Sequence, residues 1–535
     1  MKRALIIIAI VLLIAAVVGV VFLGSRMMSN YTQTGSVFGS SPDISGGFWD
    51  KLFGKNEPEI PEDDKLKDVD TSKLNFKTNN DGSITVVIDK NLPTGDILVI
   101  PSEYAGKPVT EIKLDHDNVI LDYTNPTNTS IKKIVIPDSV QKIGTYAFYA
   151  FSQLEEVVVG NSVVIIDESA FGYCDNLKSV TLGDSVHSIY NGAFANCSNL
   201  KSINLPEGLK YIGHSAFYHC EALENINLPS SLTALGAGTF SHCSSLTQIN
   251  IPGNVKNIEE STFDYCKNLK KVTLEEGVQT IGDKAFNFCV ELEEINFPDS
   301  LISIGENSFY GCKLKEFIAP PNLTRIPDQA FKCCEYLSSV ILNDKITSIG
   351  AEAFDSCSAL TKIDLPDSIT FIGPTAFSYS PLTEIKLPDK ITQINTRTFE
   401  GCTSLKSITI PNGVTHIGEH AFLYCRALEK LELPSSLNNI DANAFCHTLI
   451  PSLNIPEGVT EIKDETFSGN SSLSVLTLPA SVTNIGSAVF MFDENLKTVN
   501  YAGTIDQWNA IEKSDNWLEN APHFTVVCTD GEIEY

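Results

Sequence analysis

The sequence has few basic residues for its size. Of its 535 residues, 38 are Lys or Arg and 66 are Asp or Glu, which gives a formal net charge of -28. Proteins that bind nucleic acids or anionic lipids neutralise phosphates with Lys and Arg, whereas this chain would repel them. Nucleic acid is therefore excluded as the expected partner. The acidity is also typical of a repetitive protein that has to stay soluble.

Catalytic motifs are absent as well. The sequence contains no G-x-S-x-G elbow, no phosphate-binding glycine loop and no paired carboxylates outside surface positions. One segment, His416-Ile417-Gly418-Glu419-His420, matches the H-x-x-E-H pattern of some zinc peptidases, which requires both histidines on one helical face. Ile417 and Gly418 instead belong to a repeat and fall at a turn, so we expect no such helix. We therefore expect no metal, no cofactor and no enzymatic activity.

The first 173 residues contain no cysteine, so no lipid can be attached to one near the N-terminus. Lys2 and Arg3 instead precede an uncharged apolar run, residues 4–23. As a helix rising about 1.5 Å per residue, this run spans a hydrocarbon core about 30 Å thick. It is longer than the apolar core of a signal peptide and lacks a clear small-x-small cleavage site. We expect an uncleaved anchor in the cell membrane, with the N-terminus cytoplasmic and the bulk of the chain extracellular.

Phenylalanine recurs at a fixed spacing through most of the chain. Successive members of the series are 22 or 23 residues apart, and there are sixteen of them. A fixed period of about 20 to 29 residues is the signature of leucine-rich repeats, in which each unit forms one coil of a solenoid. The series is Phe148, Phe171, Phe194, Phe217, Phe240, Phe263, Phe286, Phe309, Phe331, Phe354, Phe377, Phe399, Phe422, Phe445, Phe467 and Phe490.

The consensus of the units is Ile-Gly-x-x-Ala-Phe-x-x-Cys-x-x-Leu-x-x-Ile-x-Leu-Pro, and it recurs with few departures. In one unit, Ala216, Cys220 and Leu223 have the i, i+4 and i+7 spacing of one helical face, which predicts a short helical turn facing the interior. The Ile and Leu of the Ile-x-Leu segment are two residues apart and point the same way from a short strand. The glycine, Gly213 in this unit, is expected to form a tight turn.

These features predict an α/β repeat solenoid. It is a right-handed leucine-rich-repeat array with parallel strands on one face, and an N-terminal transmembrane helix precedes it. The pattern resembles the BspA-type leucine-rich repeat family of cell-surface proteins over roughly residues 95–535. Residues 100–112 are similar to the first coil of that family, and residues 501–531 are similar to its terminal unit. The resemblance implies adhesion or host-protein binding, which is the role of some family members.

The chain divides into five expected segments. A terminal coil would expose its apolar face, so both ends of the repeat array are expected to carry caps. Units near Lys313, Pro381 and Thr448 are one residue short, which should alter the local turn without breaking the stack. The segments are a signal anchor (1–23), a flexible stalk (24–70), an N-terminal cap with an irregular first coil (71–130), the repeats (131–500) and a C-terminal cap (501–535).

Eleven of the fourteen cysteines lie three residues after a repeat Phe. Ser380 and Asn470 occupy the same position in other units, and disulfides or metal sites need clustered rather than laddered cysteines. We interpret the position as one for a small buried apolar residue. The eleven, here called the cysteine row, are Cys174, Cys197, Cys220, Cys243, Cys266, Cys289, Cys312, Cys334, Cys357, Cys402 and Cys425.

A polar residue lies between the two inward residues in six successive units of the N-terminal half of the array. These side chains are expected on the concave surface, where they either bind a long ligand or hydrogen-bond one another along the stack. Farther along, the position becomes mixed, with Ile318, Ile341, Asp364, Lys386 and Glu432. The candidate ligand-binding residues, here called the polar row, are Thr181, Asn204, Asn227, Asn250, Thr273 and Asn296.

The position two residues after the repeat Phe is rich in aromatic and imidazole side chains. They either form a second candidate binding strip, since Tyr is favoured at interfaces, or stack on one another across coils. Tyr379, Tyr424 and His447 continue the pattern. The alternative candidate residues, here called the aromatic row, are Tyr173, His219, His242, Tyr265 and Phe288.

Three hypotheses of function follow from these observations. The first is a membrane-anchored protein that mediates adhesion or binds an extracellular protein or glycan. The second is a structural spacer or coat component without a specific ligand, which would self-associate. The third, a hydrolase, requires a cleft and a cluster of titratable residues, and the sequence contains no sign of either. The sequence leaves the oligomeric state open.

Overall fold

The computed structural model describes residues 74–88, 92, 95–114 and 130–535. The predicted signal anchor (1–23), the predicted stalk (24–70) and parts of the predicted N-terminal cap lie outside these residues. Among the residues that are described, no helix has the length and apolar character of a membrane span.

Most coils contribute two short strands, and both kinds of strand pair in parallel with the equivalent strands of neighbouring coils. One strand contains the first inward Ile or Val of the repeat: Val180 is in register with Val157 and Ile203. The other contains the Ile of the Ile-Gly pair: Ile189 is in register with Ile166 and Ile212. The prediction of parallel strands is confirmed, but their restriction to one face is wrong, because the Ile-Gly segment forms a second ladder.

The first ladder begins after the N-terminal strands β1 (Asn75–Thr78) and β2 (Ile84–Ile88), which are paired antiparallel. Its strands are β3 (Ile97–Val99), β6 (Lys133–Ile136), β8 (Glu156–Val159), β10 (Ser179–Thr181), β12 (Ser202–Asn204), β15 (Gln248–Ile251), β17 (Lys271–Leu274), β19 (Glu294–Ile295), β21 (Glu316–Ile318), β23 (Ser339–Ile341), β26 (Glu384–Lys386), β28 (Ser407–Thr409), β30 (Lys430–Leu431), β32 (Ser452–Asn454), β34 (Val475–Leu478), β36 (Thr498–Tyr501) and β38 (Thr525–Cys528).

The second ladder continues from β2 through β5, against which the short β4 forms a hairpin. Its strands are β4 (Glu103–Tyr104), β5 (Lys107–Leu114), β7 (Lys142–Ile143), β9 (Ile165–Ile166), β11 (Ser188–Ile189), β13 (Tyr211–Ile212), β14 (Ala234–Leu235), β16 (Asn257–Ile258), β18 (Thr280–Ile281), β20 (Ser303–Ile304), β22 (Arg325–Ile326), β24 (Ser348–Ile349), β25 (Phe371–Ile372), β27 (Gln393–Ile394), β29 (His416–Ile417), β31 (Asn439–Ile440), β33 (Glu461–Ile462), β35 (Asn484–Ile485) and β37 (Glu512–Lys513).

The predicted helical turns are not helices. In the Ala-Phe-x-x-Cys stretch, Ser215 and His219 have positive φ values of 52° and 55°, which an α-helix excludes. The amide of Phe217 donates to the carbonyl of Thr239 in the next coil (2.9 Å) instead of to a carbonyl four residues earlier. Hydrogen bonds between coils thus replace helical ones on this side of the solenoid too. Within the described residues the only α-helix is α1 (Ile505–Ala510), so the α/β assignment is corrected to a parallel-strand β-solenoid.

The repeat glycine has a different role from the one predicted. Gly213 does not have a positive φ. A Cβ atom there would lie 2.5 Å from the Asn191 Oδ1 atom and 2.6 Å from the Asn191 backbone nitrogen in the preceding coil. The glycine is required because adjacent coils approach so closely, and not because a tight turn needs its conformational freedom.

The repeat phenylalanines form a continuous stack in the core. Their ring centroids are 5.2–6.4 Å apart from Phe148 to Phe490, with planes within 19° of parallel. Each of the sixteen rings is at most 1% exposed. Ala216, Cys220 and Leu223 are fully buried as well, so their predicted inward orientation is confirmed although the helix is not.

The shortened units interrupt the strand ladders but not the core. The phenylalanine stack continues through the unit near Lys313, with Phe309 and Phe331 5.4 Å apart. Both ladders stop there: β19 does not pair with β21, and β20 does not pair with β22. The units near Pro381 and Thr448 behave in the same way. Strand pairing thus stops at each shortened unit, while side-chain packing in the interior keeps the coils together.

The cysteine row has a hydrogen-bonding role that the sequence did not reveal. The Cys266 thiol donates to the carbonyl oxygen of Phe240 in the preceding coil (3.1 Å), and every other member of the row makes the equivalent bond. Ser380 makes it with its hydroxyl and Asn470 with its amide. The position is therefore one for a small buried donor, and the interpretation as simply apolar is incomplete. All fourteen thiols are free, and burial raises the pKa of Cys266.

Substitution of one row cysteine tests this donor role. We expect Cys266→Ala to lower the free energy of unfolding by about 0.5–1.5 kcal/mol, because the Phe240 carbonyl loses the thiol donor and keeps only its hydrogen bond from the Cys243 amide (3.0 Å). Cys266→Ser keeps a donor and should cost clearly less. Urea unfolding of both variants measures the difference. Equal losses from the two substitutions would show that only the size of the side chain matters.

The C-terminal end of the core is covered by aromatic side chains. Helix α1 begins with a capping box formed by Thr504 and Gln507 and buries Trp508 completely. The Trp508 Nε1–H group donates to the Tyr535 hydroxyl (2.9 Å). Trp517 packs edge-on against Phe490, the last ring of the stack (6.3 Å). Strand β39 (Gly531–Glu534) pairs antiparallel with β38 and ends the first ladder.

Candidate binding face

The polar row lies on the outward surface of the first ladder, here called the strand face. Thr181 and Asn204 end strands β10 and β12, and Asn250 and Thr273 lie within β15 and β17. Because side chains alternate along a strand, these residues point outward while their neighbours point into the core. All six members of the row are exposed, as their alternation with inward residues predicts.

Side chains of the polar row do not hydrogen-bond one another. Asn250 donates to the Glu275 carboxylate (2.8 Å). Asn296 is bound to the backbone of the preceding coil: its amide donates to the Leu274 carbonyl (2.7 Å) and its Oδ1 accepts from the Leu274 amide (2.8 Å). Within the described chain, the side chains of Asn204 and Asn227 have no hydrogen-bond partner. An amide without a partner in the protein is free to bond to a ligand.

A shallow cavity of about 230 Å³ opens on the strand face. It lies where the first ladder is interrupted: among the described residues, a single bridge between Ser202 and Asn225 is the only first-ladder pairing made by the coil between β12 and β15. Three members of the polar row line it. The complete lining is Asn225, Ile226, Asn227, Gln248, Ile249, Asn250, Lys271 and Thr273.

Three of the exposed lining residues were not among the sequence candidates. Asn225, Gln248 and Lys271 lie two positions before members of the polar row, and residues two apart on a strand share a face. The signal was therefore present in the sequence. Lys271 is the only charged residue in the lining, and its ammonium group pairs with the Glu294 carboxylate (2.9 Å).

Farther along the array, the strand face changes character. Ile318 and Ile341 are paired neighbours on β21 and β23 and are 51% and 53% exposed. A second, smaller cavity of about 110 Å³ follows, and Asp364 and Lys386 contribute to its lining. The mixed composition predicted beyond Asn296 is thus present as an apolar pair followed by a charged segment.

Four of the five residues of the aromatic row form a column of rings on the turn side of the coils. His219 and His242 stack with centroids 4.2 Å apart, and Tyr265 and Phe288 extend the column at 4.9 Å spacings. Tyr173 is not part of it and instead contacts Tyr149 (5.3 Å). Each residue of the row has a positive φ, between 52° and 62°, which the sequence pattern did not indicate. In this column most ring faces are covered by other rings, so mainly the edges face solvent.

The two stacked histidines differ in environment. Burial, with a further contribution from the neighbouring His219 imidazole, lowers the pKa of His242 to about 4. The His219 Nδ1 atom lies 3.3 Å from the Glu221 carboxylate. His242 is therefore neutral at physiological pH, which suits ring stacking.

The H-x-x-E-H segment does not form a helix. His416 belongs to strand β29, and His420 lies in a turn with a φ of 58°. The His416 Nε2 atom is 2.6 Å from the Asp441 carboxylate, which also binds the Lys463 ammonium group (2.6 Å). Partial burial of Asp441 acts to raise the pKa of its carboxyl group. Hydrogen bonds from Lys463 and His416 outweigh burial and lower that pKa. The two histidines thus have separate structural surroundings, as expected from their place in the repeat.

Comparison with solved structures shows a similar fold. A leucine-rich repeat protein from Bacteroides ovatus is 25% identical, with a TM-score of 0.55, over 87% of this chain and 100% of that chain. A leucine-rich repeat protein of T. pallidum is 25% identical (TM-score 0.33; 46% of this chain and 89% of the other). A leucine-rich cell surface protein from Faecalibacterium prausnitzii is 22% identical (TM-score 0.34; 86% and 99%).

Comparison of sequences identifies the repeat. No curated protein sequence matches this chain. The BspA-type leucine-rich repeat region, a family unit of six repeat copies, matches residues 120–244, 189–302, 279–406 and 392–511. These overlapping matches extend over most of the chain and coincide with the phenylalanine series. The protein belongs to the BspA-type leucine-rich repeat family.

Proposed function

We propose that this protein is anchored at the cell surface and binds an extracellular protein or glycan through its strand face. Leucine-rich-repeat solenoids are typically binding scaffolds without catalytic activity, and the family contains surface proteins. The observation that carries the proposal is the cavity on the strand face, which is lined by Asn227, Asn250 and Thr273 of the polar row. Exposed amides with both donors and acceptors give such a surface the means to hold a ligand.

Binding to cells or matrix tests this function. Full-length protein is presented on beads and titrated against a panel of purified matrix proteins and intact cells, with flow cytometry as the measurement. Saturable binding that soluble full-length protein competes away supports the proposal. The alternative of a spacer or coat component predicts self-association without a saturable partner, and that result would overturn the binding proposal.

The membrane anchor is a separate part of the proposal. Residues 4–23 are uncharged and apolar, and residues 24–70 would hold the solenoid away from the bilayer. In the test variant, a cleavable signal peptide replaces residues 4–23, so that the protein is still exported. We expect most of this variant in the soluble fraction, whereas the native protein should be in the membrane fraction. Deleting residues 36–55 from the stalk is the control and should leave the protein in the membrane. Full-length protein found mainly in the soluble fraction would contradict the anchor.

A further inference from the structure

The strand face has an uncharged, exposed segment in this acidic chain. Four consecutive coils each present two exposed residues there, and none of the eight carries a charge. Charged side chains bound the segment at both ends, with Glu156 in the coil before it and the paired Lys271 and Glu294 after it. The eight residues, here called the neutral strip, are Ser179, Thr181, Ser202, Asn204, Asn225, Asn227, Gln248 and Asn250.

The neutral strip offers no apolar anchoring point. The inward residues between its members, Val180, Ile203, Ile226 and Ile249, are only 3–5% exposed. Protein partners are usually held by aromatic or aliphatic side chains in desolvated apolar pockets, and the strip has no such pocket. Its hydroxyl and amide groups match a ligand whose surface consists of hydroxyl groups.

Backbone groups add to the hydrogen-bonding capacity of the strip. Residues 226–228 belong to no strand, because the ladder is interrupted between β12 and β15. Where the ladder is continuous, peptide groups are satisfied by the neighbouring coil, whereas unpaired peptide groups need other hydrogen-bond partners. The cavity at this interruption therefore combines peptide groups with the side chains of Asn225, Asn227 and Gln248.

The dimensions of the strip suit a linear polymer. The cavity of about 230 Å³ is smaller than the roughly 300–1,000 Å³ of pockets that enclose a small molecule. Coils repeat at about 4.8 Å, so four of them extend over roughly 15–20 Å. One coil spacing is close to the length of one pyranose unit in an extended glycan. A chain of sugars lying along the solenoid axis can thus meet equivalent polar groups at each successive unit.

We infer that the neutral strip binds an uncharged, linear glycan, with one sugar unit seated in the cavity lined by Asn225, Asn227, Gln248 and Asn250. This inference rests on the proposed function and specifies its ligand class. The net charge of -28 disfavours anionic glycans, which the protein would repel. The exposed pair Ile318 and Ile341, which lies outside the strip, is the contrasting surface that a protein partner would prefer.

Titration of full-length protein with oligosaccharides tests the inference. The probes are cellohexaose, mannohexaose, maltohexaose and chitohexaose, with a heparin hexasaccharide as the anionic comparison, and calorimetry measures the affinity. We expect at least one neutral hexasaccharide to bind and heparin not to bind. The double variant Asn227→Ala/Asn250→Ala should weaken that binding about tenfold or more, since it removes two amides.

Asn454→Ala is the matched control for this variant. Asn454 occupies the position equivalent to the polar row on β32 and is exposed, but it lies far along the array from the neutral strip. It should leave the affinity unchanged. All three substituted residues are exposed, so thermal unfolding midpoints should stay close to that of the unsubstituted protein.

The outcomes separate this inference from the proposed function. Glycan binding that survives Asn227→Ala/Asn250→Ala overturns the assignment of the site. Absence of binding to every neutral hexasaccharide, together with cell binding that is lost in Ile318→Asp/Ile341→Asp, overturns the glycan inference and leaves a protein ligand for the proposed function. Absence of both glycan binding and saturable cell or matrix binding overturns both.

Discussion

Replacement of Asp493 by asparagine is expected to stabilise the C-terminal coils at neutral pH. Asp493 is fully buried at the position of the cysteine row in the last repeat. Its Oδ1 atom accepts from the backbone amide of Asn470 (2.7 Å), while its Oδ2 atom has no partner in the described chain. Burial raises the pKa of Asp493 from 3.8 to about 8. The folded protein therefore holds a proton there that the unfolded chain releases at neutral pH.

The sign of the pH dependence follows from this difference in pKa. Because the folded-state pKa is the higher one, the contribution of Asp493 to stability is fully present below about pH 4. It is lost as the pH rises to about 8, at up to roughly 1.4 kcal/mol per pH unit. Asparagine does not titrate, keeps an oxygen for the Asn470 amide and supplies a donor, as Asn470 itself does one coil earlier. The variant should thus gain several kcal/mol over the native protein at pH 7.5 and nothing below pH 4.

Urea unfolding between pH 4 and pH 9, with hydrogen exchange of residues 467–500 as a local measurement, checks this prediction. Glu494→Gln is the control, because it removes the same charge at the adjacent, exposed position. The control should not reproduce the pH-dependent gain. A stability difference between Asp493→Asn and the native protein that is constant with pH would contradict a protonated Asp493.

Replacement of Phe286 by alanine is expected to cost about 3–5 kcal/mol, the usual loss for a fully buried phenylalanine. Its ring lies between Phe263 (5.2 Å) and Phe309 (5.5 Å), so the substitution removes contacts on both sides. In a solenoid each unit is stabilised mainly by its nearest neighbours. The resulting cavity should therefore weaken two interfaces between coils and allow the array to unfold in two parts.

Thermal unfolding and hydrogen exchange measure this loss and its location. Phe371→Ala is the matched control, because Phe371 is 44% exposed on β25 and lies outside the stack. We expect it to change stability by less than about 0.5 kcal/mol. Faster exchange limited to the coils around residue 286 would agree with nearest-neighbour stabilisation. Uniform exchange changes along the whole array would instead indicate a single cooperative unit.

The repeat period was sufficient to predict which residues form the core. Sixteen phenylalanines at near-constant spacing have to occupy equivalent positions, and equivalent positions in stacked coils share one environment. Alternation along a strand likewise separated the inward Ile226 from the outward Asn227. The same alternation would have added Asn225 and Gln248 to the candidate site if it had been followed one step further along each strand.

The secondary structure of the turn side was predicted incorrectly because local spacing does not determine where backbone amides find partners. Ala216, Cys220 and Leu223 have helical spacing and are buried, but the amide of Phe217 donates to the next coil. That bond competes with a helical one only once a neighbouring coil is present. The role of Gly213 was missed for the same reason, since the contact it permits is with Asn191 in another coil.

The sequence by itself determined the repeat, its length, the inward and outward residues and the acidity of the chain, because each depends on spacing or composition alone. Only the tertiary structure decided the second strand ladder, the hydrogen bonds of the cysteine row and the interruption of the first ladder that opens a cavity beside Asn227. These features arise between coils, where groups 22 to 26 residues apart in the chain come within hydrogen-bonding distance. A one-dimensional pattern records which residues repeat, but the contacts made by each repeat exist only after the coils have stacked.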